Sequence, residues 1–65
     1  MKKGDMVNTP RFLKVRIEKV CRNSRTARQQ GYVEPTHYHS EDYSILGKNI
    51  GDNCMIFAAV RKAAR

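Results

Sequence analysis

The stretch "CMIFAAVRK", Cys54 to Lys62, contains the longest apolar run of the chain, seven residues from Cys54 to Val60. Taken with a period of two, Met55 and Phe57 point to one side and Ile56 and Val60 to the other. A strand built this way is apolar on both faces, so it belongs in the middle of a sheet or beneath a partner. The wider segment "DNCMIFAAVRKAAR" also fits a helix capped by Asp52 or Asn53, with Met55, Ala59 and Ala63 on one stripe. The run "CMIF" has no polar face for a short surface helix, and the strand is the assignment taken.

The neighbouring segments follow from this choice. "GDN" (Gly51 to Asn53) has the composition of a short hairpin loop, and "YSILGKNI" before it reads as the partner strand. Further back, "RFLKVRIEKV" (Arg11 to Val20) alternates, with Leu13, Val15 and Ile17 on one face and Lys14, Arg16 and Glu18 on the other. Val20 falls out of phase with Ile17, which puts a bulge or a strand end near Lys19. In "NSRTARQQG" Asn23 or Ser24 can cap a helix of about two turns that Gly31 closes. From Tyr32 to Ser40 the chain is extended or looped, with Val33 and Glu34 pushed out of helical geometry ahead of Pro35. The fold class expected is α+β: a small, mainly antiparallel sheet of about three strands with one short helix. One domain spans residues 1–65, with residues 1–5 frayed.

A chain of 65 residues buries only about 60% of the surface its unfolded form exposes. It cannot readily pack a core and also shape the deep, dry cavity that electrostatic catalysis uses. Size therefore argues against an enzyme and for a module that binds something flat. Cys21 and Cys54 are too few for a disulfide framework. Gly4, Asp5, Asn8 and Arg11 interrupt any leader that Lys2 and Lys3 would open. Seven apolar residues fall far short of a membrane span. These features predict a cytoplasmic protein with reduced thiols and no membrane partner.

The busiest polar stretch is "THYHSEDY", Thr36 to Tyr43. In an extended segment His37 and His39 point to the same side, and Glu41 or Cys54 would be the next ligand for a metal. Zinc needs three or four converging ligands, and one His-x-His without a second pair does not supply them. A solvated loop, in which Ser40 and Asp42 bond their own backbone, accounts for the composition. Cys54 with His37 or His39 lacks the orienting third group of an activated nucleophile. The expectation is no metal, no cofactor and no catalytic residue.

The charge distribution says more. The net charge is +7, and residues 1–28 hold nine Lys/Arg against Asp5 and Glu18, while residues 29–53 hold Lys48 against Glu34, Glu41, Asp42 and Asp52. Arg22, Arg25 and Arg28 recur every third residue and form one stripe on a helix. Lys14 and Arg16 share the polar face of the first strand, and Arg11 precedes them. Together these six are the candidate contacts to a DNA or RNA backbone. Tyr32, Tyr38 and Tyr43 all lie in the acidic middle, which disfavours a base-stacking platform. The alternative is a protein-interaction or self-associating module that pairs through residues 54–60. Charge on exposed faces also serves solubility alone.

The segments "GDMVNTPRFLKVRIEKV" and "GYVEPTHYHSEDYSILGKNIGDNCMIFAAVRK" cover Gly4 to Lys62 but for the helical stretch. In their general wording the chain resembles small uncharacterised accessory proteins of conjugative transposons in Gram-positive gut bacteria. That resemblance implies an accessory role for a mobile DNA element and carries over no functional residue. It supports a DNA-related role, and it also fits a small inhibitor or adaptor acting on a host or element protein.

Overall fold

The computed structural model describes residues 1–62. They form β1 (Met6–Thr9), β2 (Leu13–Cys21), α1 (Ser24–Gln29), β3 (Glu34–Pro35), β4 (Tyr43–Gly51) and β5 (Cys54–Arg61). The strands make one strongly curled half-barrel sheet in the order β1-β2-β5-β4-β3. The contested stretch is its central strand. Phe57 and Ala59 belong to an inner cluster with Val15, Ile17 and Ile45. Ala58 and Val60 belong to a second cluster on the opposite face with Cys21, Ala27 and Tyr32. Ala63, which the helical alternative put on its stripe, lies outside the described residues.

The expected sheet of about three mainly antiparallel strands is incorrect: there are five strands, and the pairing is mixed. β1 pairs antiparallel with β2, and β3 with β4. Both added strands are short, and "MVNT" and "EP" contain residue types depleted in strands, so each is stabilised by its long neighbour rather than by local propensity. β5 takes β4 as its hairpin partner through the Asp52–Asn53 turn, where Asn53 adopts φ of 57°. Its other edge is then open, and β2 fills it in parallel. Parallel pairing requires a long crossover, and α1, β3 and β4 all lie within it.

A bulge fixes which way β2 faces. Ile17 pairs with Phe57 and Lys19 with Ala58, so Glu18 is an extra residue on β2. Without it, the alternation that buries Val15 and Ile17 would turn Lys19 into the inner cluster and Val20 away from it. With it, Val20 packs against the inner cluster and Cys21 faces α1.

The helix lies on that second face. Asn23 caps it, its side chain accepting from the Thr26 N–H at 2.9 Å. Gly31 closes it at φ of 94°, and a Cβ there would stand 3.0 Å from Lys48 Cε. Ala27 and Ala58 are both fully buried. Two small residues facing each other let so short a helix approach the sheet closely, which matters because such helices are marginal alone.

The two edges of the half-barrel meet near Thr36. Its N–H and hydroxyl both donate to Ile45 O, at 3.3 and 2.9 Å, and its carbonyl accepts from the Arg11 N–H at 3.2 Å. Thr36 is completely buried. Thr36→Val keeps the shape but removes the hydroxyl, which also accepts from the Tyr38 N–H. The variant is expected to lose about 1–2 kcal/mol in urea unfolding. An unchanged midpoint would show that this seam contributes nothing.

Candidate nucleic-acid interface

Val15 and Ile17 face the inner cluster, so Lys14 and Arg16, which alternate with them, project from the opposite face, which carries α1. The bulge turns Lys19 to the same side, where its Nζ donates to Gln30 Oε1 at the helix end. Arg22 occupies the turn into α1, and Arg25 and Arg28 are exposed on the helix. Lys48, opposite Ile56, adds a cation on this face, its ammonium 5.8 Å from the centre of the Tyr32 ring. Burial first, then Cys21 and Glu18, push the Tyr32 phenol above its ordinary pKa. It therefore remains protonated at neutral pH and presents its ring to Lys48 as a neutral aromatic surface.

Lys14, Arg16, Arg25 and Arg28 thus share one side of the sheet with Lys19 and Lys48, and Arg22 lies in the turn at its edge. The carboxylate among them is Glu18, whose Oε2 is 3.9 Å from Arg16 Nε. Arg11 stands apart. Its guanidinium bonds Glu34 Oε1 at 3.0 Å and Pro35 O at 3.3 Å, and lies 5.0 Å from the Phe12 ring centre. Among the described residues, Arg11–Glu34 and Arg16–Glu18 are the ion pairs within 4 Å. Arg22, Arg25 and Arg28 are exposed and, among the described residues, are paired with no carboxylate.

Lys19 and Lys48 were not among the sequence candidates. Lys19 breaks the simple alternation, and only the misphased Val20 signals the bulge that re-aims it. Lys48 sits in the acidic middle, and its place on this face depends on the β4–β5 register.

The "THYHSEDY" segment is a loop except for Tyr43. His37 and His39 are exposed, and His37 adopts φ of 61°, which breaks the extended geometry that would aim both rings one way. Ser40 Oγ accepts from the Asp42 N–H at 3.2 Å. Among the described residues no three of His, Cys, Asp and Glu converge as metal ligands. Cys21 is buried and Cys54 exposed, both as free thiols. No helix among the described residues is long and apolar enough to cross a membrane. Comparison with known proteins finds no family model, no curated sequence and no solved structure that matches this chain.

Proposed function

We propose that this protein is a small basic module that contacts the nucleic-acid backbone without sequence preference. It would act in the cytoplasm as an accessory to a mobile DNA element. The observation that carries this reading is the face to which strand register and the helix assign Lys14, Arg16, Lys19, Arg25, Arg28 and Lys48, with Arg22 at its edge and Glu18 as the carboxylate among the described residues there. A cationic surface of this kind gathers phosphates by long-range attraction and releases their counterions on contact. Binding of this type requires no pocket and no catalytic group.

The alternative, association through residues 54–60, has less support. Phe57 to Val60 are buried between β2 and β4 within the sheet, and only the Cys54 end of this stretch reaches the surface.

Fluorescence anisotropy with a labelled duplex tests the proposal. Binding is expected to be micromolar or weaker near physiological salt and tighter at low salt. The logarithm of affinity should fall by about 0.9 per neutralised phosphate for each decade of salt. Absence of binding at low salt would overturn the proposal, because these cations would then serve another purpose.

A further inference from the structure

The sheet forks at one end. β2 and β5 pair from Ile17 and Phe57 onward, and neither Leu13–Arg16 nor Cys54–Ile56 takes part in that pairing. The start of β2 stays with β1 and the start of β5 with β4. Between them lies an open cleft of about 570 Å³, within the roughly 300–1,000 Å³ usual for small-molecule sites. Phe12, Met55 and Phe57 form its apolar wall, while Lys14, Arg16 and Asn53 contribute polar groups to its lining. Because Lys14 and Arg16 also belong to the cationic face, a chain lying there passes the mouth of the fork.

We infer that the fork takes one nucleotide of a single-stranded nucleic acid, with its base against the apolar wall and its phosphate at Lys14 and Arg16. This rests on the reading of the cationic face as a backbone-binding surface. A base needs a flat apolar or aromatic wall and polar partners for its edge, while its phosphate needs cations outside. The fork supplies each of these. Glu18, also part of the lining, can accept from a base's exocyclic amine, and the Asn53 amide can both donate and accept. Leu13, next to Phe12 and Lys14 of the lining, adopts φ of 61° in the turn from β1 and is 76% exposed. A bulky residue in the left-handed region is uncommon, and strain of that kind concentrates at functional sites. A duplex keeps its bases stacked, so the fork selects single strands.

The test is anisotropy on the intact protein with single-stranded and duplex oligonucleotides of equal length at one salt concentration. Circular dichroism monitors the fold of each variant. The single strand is expected to bind roughly tenfold more tightly than the duplex. Phe12→Leu removes the aromatic wall, and Asn53→Gly removes the amide while preserving the left-handed turn. Both should bring single-strand affinity down towards the duplex value and leave duplex binding unchanged. A nucleoside monophosphate should displace the single strand at concentrations where inorganic phosphate does not. If Phe12→Leu fails to fold, Asn53→Gly and the competition decide the question. Equal affinities for the two forms, insensitive to the variants, would overturn the fork site and leave the backbone reading standing. No binding of either form would overturn both.

Discussion

Replacing Phe57 by alanine is expected to cost about 3–5 kcal/mol, the range for deleting a buried aromatic side chain. Phe57 occupies the inner face of the central strand, 9% exposed. Its ring centre lies 5.3 Å from that of Phe12, with the planes at 59°. It also covers Gly47 on β4, where an added Cβ would stand 3.1 Å from Phe57 Cε1 and 2.8 Å from Met55 Cε. Gly47 has no side chain to fill the void, so truncation leaves a cavity rather than a repacked core. A domain of this length holds roughly 3–10 kcal/mol in all, so the loss is a large share of the total stability. Urea unfolding followed by circular dichroism measures the loss. A cost below about 1 kcal/mol, as at exposed sites, would place the ring on the surface and remove β5 from the centre of the sheet.

Reversing Arg22, Arg25 and Arg28 together to glutamate is expected to abolish duplex binding near physiological salt. The salt dependence should flatten by about one for each phosphate that is no longer neutralised, for every duplex sequence alike. Stability should change little, by about 0.5 kcal/mol or less per site, because all three are exposed and make no ion pair among the described residues. The two helical positions even oppose each other. A carboxylate at position 25 suits the first turn of α1, and one at position 28 opposes the dipole at its end. An affinity within about twofold of the unaltered protein would show that the helix does not touch the backbone.

What could be read from the residues is the set of strong local patterns. The two-faced apolar run required a covered strand, and β5 is buried on both faces. The alternation at Val15 and Ile17, and the failure of Val20 to continue it, marked β2 and its bulge. Leu13, expected on the same face, is 76% exposed because its left-handed backbone at φ of 61° takes it out of the alternation. Asn23 and Gly31 bracketed α1. What could not be read was partner choice. The parallel pairing joins Ile17 to Phe57 across α1, β3 and β4, and no local period reports so distant a neighbour. β1 and β3 exist because longer strands offer them an edge. The cationic face was legible as composition, but its membership depended on topology. Arg11 left it for Glu34, whereas the bulge and the β4 register brought Lys19 and Lys48 into it. Phe57 is a core residue, and that it also lines the cleft beside Phe12 depends on the fork between β2 and β5.

The one-sided arrangement of charge is tested most directly by comparing two double reversals of equal charge on the same duplex. Arg25→Glu with Arg28→Glu alters the helix. Lys2→Glu with Lys3→Glu alters two exposed residues that follow Met1, which packs against the inner cluster. Each pair lowers the formal net charge of +7 by the same amount, so total charge cannot distinguish them. Salt titrations by fluorescence anisotropy should show the helix pair losing affinity steeply and flattening the slope by about two, while the amino-terminal pair remains close to the unaltered protein. Equal losses from both pairs would contradict a defined binding face and leave only diffuse attraction by a basic chain.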